Sequence, residues 1–182
     1  MPTYISLLRG INVGPHKRMK MERLRASFEA LGFEQVKTYI QSGNVVFKSK
    51  KIPAKKLSSQ IEEAILKDFG FSASVVVRTF EEICAAIAGN PFLKEREIDL
   101  SKLHVTFLSA VPEAAALKKL EALIAPPDRM RWVGETLYFF LPNGVSPSVL
   151  MKHPVDRILS VVTTTRNWKT VNSVHQMCQD CN

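Results

Sequence analysis

The sequence predicts an α+β fold built from two ferredoxin-like units in tandem. Three observations carry this expectation. Short β-rich apolar runs alternate with stretches whose apolar residues recur at helical three- and four-residue steps. Over the first half the order reads βαββαβ with a trailing helix, the split βαβ arrangement. The same order returns in the second half, whose first strand begins about 100 residues after that of the first. The expected units are residues 1–92 and 93–182, each βαββαβ plus a trailing helix.

Residues 3 to 9 hold Tyr4, Ile5, Leu7 and Leu8 without a breaker, which reads as a short buried strand. A helix is expected from about Met19, with Met21, Leu24, Phe28 and Leu31 on one apolar stripe. Gly32 stands where a left-handed cap belongs, and Phe33 follows to pack back on the helix. In "VKTYIQSGNVVF" two β-rich runs flank Ser42-Gly43, a short hairpin signal. A second helix starts after Pro53, carries Leu57, Ile61, Ala64 and Ile65 on its stripe, and ends at Gly70. "SASVVVRT" is the fourth strand. Thr79 and Glu82 form a capping box for the trailing helix, which Gly89-Asn90-Pro91 stops. "KEREIDLSK" is polar and reads as a linker.

In the second half "KLHVTFLSA" is a strand, and "PEAAALKKLEALI" is a helix with Pro112 at its start. "MRWV" and "TLYFFL" flank Gly134-Glu135, where glycine at the first turn position suits a type II′ hairpin. "SPSVLMKHPVDRILS" is a helix interrupted or restarted at Pro154. "VVTTT" is a strand and "RNWKTVNSVHQM" the last helix. The two trailing helices open alike, Thr79-Phe80 and Asn167-Trp168.

Composition narrows the class. The chain has 182 residues, 46% hydrophobic and 23% charged, ordinary for a soluble globular protein. No run approaches the ~20 apolar residues of a membrane span. "MPTYISLLRG" lacks the basic region and small-residue cleavage site of a signal peptide, so a cytoplasmic location without membrane contact is expected. The cysteines, Cys84, Cys178 and Cys181, are odd in number, which argues against a disulfide framework. Cys178 and Cys181 form a C-x-x-C with no second pair, read as part of a frayed, reduced tail. No metal and no cofactor is expected.

The net charge of +8 favours anionic partners. Arg9, Lys17, Arg18, Lys20, Arg23 and Arg25 form one cluster around a single acid, Glu22; Lys48, Lys50, Lys51, Lys55 and Lys56 form another with none. Each is either a solvated face or an anion-binding surface.

Polar residues without an evident structural duty gather at three places. Arg9 and Asn12 lie in "RGINVG". Gln41, Ser42 and Asn44 lie at the first hairpin. Thr163, Thr164, Thr165, Arg166 and Asn167 lie at the expected entrance to the last helix. "RGINVG" is neither a Walker loop nor a G-x-G-x-x-G. With Arg9, Lys17 and Lys20 near, it either holds a phosphate or carboxylate or is a strand-to-helix crossover that needs glycine twice. At "TTTRNWK" a helix start offers free N–H groups and Arg166 offers a bidentate fork. Trp168 is either a stacking surface or, as the first apolar residue of its helix, part of the core. The histidines His16, His104, His153 and His175 show no metal-ligand spacing, and only His16, in the glycine loop, suggests a titrating role. Tyr4 and Phe47 are the strand aromatics that an RNA-recognition sheet would expose, but the signature of such modules is absent.

"LLRGINVG" followed by "KM", then "TYIQSGNVVF", then "TTTRNWKTV" resembles the bacterial family known as the domain of unknown function 1697, in order from Tyr4 to Val174. The resemblance implies an α+β fold of tandem ferredoxin-like units and no particular reaction. It maps recurrent polar positions onto Arg9, Asn12, Gln41, Ser42, Asn44, Thr165, Arg166, Asn167 and Trp168. Pro15 and Lys169 depart from the pattern, where glycine and asparagine are expected; Pro15 removes one N–H donor from the loop.

The expected function is binding of an anionic ligand, a nucleotide or nucleic-acid backbone, by Arg9, Asn12, Lys20, Gln41, Ser42, Asn44, Thr165, Arg166, Asn167 and Trp168. The rivals are an enzyme acting on a small phosphorylated or carboxylated metabolite and a protein-interaction module. The sequence carries no signal for oligomeric state.

Overall fold

The computed structural model describes residues 1–181. Strand β1 (Thr3–Leu8) leads to helix α1 (Met21–Ala30), then β2 (Glu34–Tyr39), β3 (Asn44–Lys48), α2 (Ala54–Phe69), β4 (Val75–Thr79) and α3 (Phe80–Ala88). Two 3-10 turns, Pro91–Lys94 and Leu100–Lys102, precede β5 (Leu103–Leu108), α4 (Ala114–Glu121), β6 (Arg129–Val133) and β7 (Thr136–Phe140). The chain ends with α5 (Val149–Lys152), α6 (Val155–Leu159), β8 (Thr163–Asn167) and α7 (Trp168–Gln179). Among the described residues this makes seven helices and two four-stranded antiparallel sheets, ordered β2-β3-β1-β4 and β6-β7-β5-β8. Two compact units result. One is Met1–Ala85 with the residues from Asn172 onward; the other is Ala86–Val171. The boundaries fall inside α3 and α7.

In the first unit the alternation of β1 sends Tyr4, Ser6 and Leu8 to one face, in register with Phe47, Val45, Val77 and Val75. Leu24 and Phe28 of α1, and Leu57, Ile61 and Ile65 of α2, pack into the same core. Tyr4 stacks on Phe47 at 5.8 Å inside that core, and Phe33 stacks on Phe47 at 4.5 Å. Ile5, Leu7, Val46 and Val76, on the other face, are buried too. The strand aromatics therefore offer no exposed platform for bases.

Local chemistry sets the ends of the elements. Helix α1 starts at Met21 rather than Met19: Lys20 is still extended, at φ −75° and ψ 132°, and the Met19 amide donates to the Asn12 side chain. At its other end Gly32 has φ +78°; its N–H donates to Glu29 O and that of Phe33 to Phe28 O, a Schellman closure. Leu31 lies beyond the last turn and is exposed, so it leaves the expected stripe. Ser27 takes a buried place instead, its hydroxyl donating to Asp68 Oδ2 at 2.6 Å. The first hairpin closes through the four residues 40–43, not through Ser42-Gly43 alone, since Tyr39 pairs with Asn44. The Thr79–Glu82 capping box forms in both directions, at 2.8 and 3.2 Å.

In the second unit Leu108, Leu137, Phe139 and Met130 build a core with Leu117, Leu120, Val155 and Leu159. Gly134, at φ +56°, turns the β6–β7 hairpin in two residues. The helix around Pro154 is indeed broken, into α5 and α6. The expected linker is partly ordered: Leu100–Lys102 is a 3-10 turn and Glu95 pairs with Arg129 at 2.9 Å. Among the described residues the C-terminal tail is not frayed. Cys178 lies in α7, and both Cys178 and Cys181 are buried and unbridged. Burial, then the neighbouring thiols of Cys181 and Cys84, push the Cys178 thiol up to about 12, which keeps it protonated and inert.

Gly43 joins the hairpin to β1. Its carbonyl accepts from Leu8 N–H at 2.9 Å, and at φ +73° a Cβ would stand 2.7 Å from Ile11 Cδ1 and from Leu8 Cβ. Gly43→Ala is predicted to cost about 2–4 kcal/mol, combining left-handed strain and overpacking. Urea unfolding midpoints at an unchanged slope check this.

Candidate functional site

The loop from Arg9 to Lys20 is folded around one side chain. Asn12, with φ +53°, accepts the Met19 N–H on Oδ1 at 2.7 Å and donates through Nδ2 to Met19 O at 3.0 Å and Gln41 O at 2.8 Å. Asparagine tolerates the left-handed conformation better than most residues, and its amide matches backbone donors and acceptors at once. The Asn12 N–H also donates to Lys17 O at 3.1 Å, closing the loop on itself. Lys17 Nζ then reaches Ser72 O at 2.8 Å. The strand exit and the tip of the first hairpin thus meet.

Beside this staple lies an open cavity of about 730 Å³. Asn12, Arg18, Met19, Lys20, Met21, Glu22, Arg23, Gln41 and Phe69 line it, all from the first unit. The sequence reading had picked Asn12, Lys20 and Gln41. It missed Arg18, Arg23 and Phe69, although the basic cluster after "RGINVG" contains the two arginines. Phe69 comes from the end of α2, far off in sequence, and nothing local marked it.

The charges here differ in freedom. Arg23 donates to Asp68 O at the carbonyl end of α2, and its guanidinium lies 4.8 Å over the Phe69 ring, so it is part of the wall. Arg18 and Lys20 are exposed, and among the described residues their side chains make no hydrogen bond or ion pair. Glu22 is the one carboxylate of the lining. Lys20 is also the N-cap of α1, and its side chain makes no capping hydrogen bond. Its first amides stay available to a ligand with the positive end of the helix dipole.

The other expected residues do different work. Asn44 is fully buried and donates to Tyr39 O at 3.0 Å and to Ser42 Oγ at 2.9 Å, holding the hairpin. Arg9 donates its backbone N–H to Ser74 O and does not line the cavity.

Thr165, Arg166, Asn167 and Trp168 belong to the second unit. The expected strand through Thr165 continues over Arg166 and Asn167, which were read as the start of the last helix, and the period of two in β8 sends Thr165 and Arg166 to opposite faces. Thr165 Oγ1 pairs with Thr106 Oγ1 at 2.7 Å. Arg166 donates to Thr164 Oγ1 and Thr165 O, and burial pulls its guanidinium down to about 10, still charged at neutral pH. Asn167 caps α7 through Thr170 N–H at 2.8 Å, and Trp168 is buried. Arg78 in β4 faces Ile5 as Arg166 in β8 faces Val105, and it is just as buried. That pair of cations escaped the sequence reading, which compared only Thr79-Phe80 with Asn167-Trp168.

Asn12→Ala is predicted to cost about 2–4 kcal/mol, from three hydrogen bonds and the positive φ. Asn12→Gly should recover only the backbone part. Denaturant unfolding of the two variants separates the contributions.

Among curated proteins nothing matches this chain. A solved structure of a conserved bacterial protein, SP0830 from Streptococcus pneumoniae, is similar to it. The two are 26% identical with a TM-score of 0.76, and the likeness covers 97% of this chain and 98% of that one. The family model described as "Protein of unknown function (DUF1697)" matches residues 1–138, and the chain belongs to that family.

Proposed function

We propose that the cavity of the first unit binds a compact anionic ligand of nucleotide size. The observation that carries this reading is a pair of unpaired cations, Arg18 and Lys20, at an open cavity whose wall includes the uncapped start of α1. About 730 Å³ lies within the range of pockets that hold small ligands. The lining joins cations and the polar Asn12 and Gln41 to the apolar Met19, Met21 and Phe69, as a ligand with an anionic head and a flatter body would need. Three cations face one carboxylate there, so the site attracts negative charge. One carboxylate without an acid–base partner favours binding over turnover.

The same reading takes each half of the chain, residues 1–92 and 93–182, as a ferredoxin-like unit of a tandem duplication in a cytoplasmic protein. Equal strand order in the two sheets supports the duplication.

A thermal-shift series with nucleotides and phosphorylated metabolites tests the site. A ligand at 100 times its Kd should add about 2.7 kcal/mol of stability by mass action. At least one nucleotide should raise the melting temperature, and Arg18→Gln with Lys20→Gln should abolish the shift while the unliganded melting temperature holds. No shift with any anion, or a shift that survives the double substitution, contradicts the reading.

A further inference from the structure

We infer that a second surface of the first unit, formed by Lys48, Lys50, Lys51, Lys55 and Lys56, binds the phosphate backbone of duplex nucleic acid without regard to sequence. No acidic residue occurs between Glu34 and Glu62. Lys50, Lys51, Lys55 and Lys56 are exposed and Lys48 half-buried. Lys48 lies opposite Glu34 in the sheet register, yet none of the five lysines has an ion pair among the described residues.

The placement runs against the stability of the fold. Lys55 and Lys56 occupy the first turn of α2, the positive end of the helix dipole, where a cation is unfavourable and no acid offsets it. Like charges also crowd each other. Local choices that oppose the fold without a structural gain mark places that serve something else.

The segment is held in place rather than loose. Ser49 N–H donates to Pro2 O at 3.3 Å. The Tyr4 hydroxyl donates to Ile52 O at 3.1 Å and accepts the Ile52 N–H at 3.3 Å. Ile52 packs on the core beneath. The lysines therefore stand on a fixed support, and a partner does not have to order the backbone that carries them.

The patch is separate from the cavity. Lys48 pairs with Thr3 at the start of β1, whereas Asn44 pairs with Leu7 near its end, on the side of the Asn12 loop. Likewise Lys55 and Lys56 sit in the first turn of α2 (Ala54–Phe69) and Phe69 is its last residue, which separates them by roughly 20 Å along the helix.

Lysine is a flexible point charge, suited to phosphates and not to reading bases. An anionic membrane would want apolar side chains to insert beside the charges. Between residues 48 and 60 no large apolar side chain is exposed, which favours a nucleic-acid backbone.

The test uses the full-length protein and a 20-base-pair DNA duplex of arbitrary sequence, with affinity measured across a salt series. Each phosphate contact contributes about 0.9 to the slope of log affinity against log salt. Replacing Lys50, Lys51, Lys55 and Lys56 by Gln should lower that slope by about 3 to 4 and weaken binding at least roughly tenfold at 0.1 M salt. The same variant should melt at a higher temperature than the wild type, because the helix start is relieved. Arg18→Gln with Lys20→Gln should leave duplex binding unchanged, so failure here and failure of the cavity reading are distinguishable. Absence of duplex binding at low salt, or binding that the four substitutions do not weaken, overturns the inference. So does tighter binding to phosphatidylserine vesicles than to duplex.

Discussion

The Asn12 side chain is the constraint on which the cavity end of the first unit depends. One amide group links three pieces of chain at once: the exit of β1, the start of α1 and the tip of the β2–β3 hairpin. Backbone groups in a loop must find partners, and a loop without regular structure has few to offer. Asn12 supplies three of them. The consequence is that Met19 is fixed in the core, α1 begins two residues later, and Arg18 and Lys20 are presented at the mouth of the cavity. What looked like a glycine loop for phosphates is an asparagine-centred turn, and beside it the Arg18 and Lys20 side chains have no partner among the described residues.

Charge is handled in three ways in this chain. Arg23 and Arg129 are absorbed into the fold, each over aromatic rings and against an oxygen acceptor. Arg78 and Arg166 are buried in their strands at matching register positions. Arg18 and Lys20, and the lysines from Lys50 to Lys56 with the half-buried Lys48, have no ion pair among the described residues and form two groups toward opposite ends of the first sheet. Only the last class is available to a partner, and net charge alone does not reveal which cations belong to it.

Element types and their order were legible in the sequence because they rest on local signals. The periodicity of α2, the Thr79–Glu82 box, the Gly32 and Gly70 caps and the Pro154 break all act within a few residues of themselves. The errors fall where a distant contact decides. Leu31 left its stripe because the helix closes one residue earlier, and Ser27 was buried by Asp68, 41 residues away. The tail was ordered by α7, which carries Cys178 into the interior. The site was half legible for the same reason. Asn12, Lys20 and Gln41 stood out as polar residues without a local duty, but that Asn12 serves the backbone and that Phe69 closes the wall are tertiary facts. In "TTTRN" the strand runs two residues further than the sequence suggested, and its period of two divides the residues between two faces.

Amide hydrogen exchange at Met19 tests the central role of Asn12 most directly. This N–H has no partner in helix or sheet and donates only to Asn12 Oδ1 in an otherwise exposed loop. If the staple organises the loop, the Met19 amide exchanges as slowly as the first hydrogen-bonded amides of α1, and Asn12→Gly releases it to the rate of an open loop. Fast exchange of Met19 in the wild type, or protection that persists in Asn12→Gly, would contradict the account.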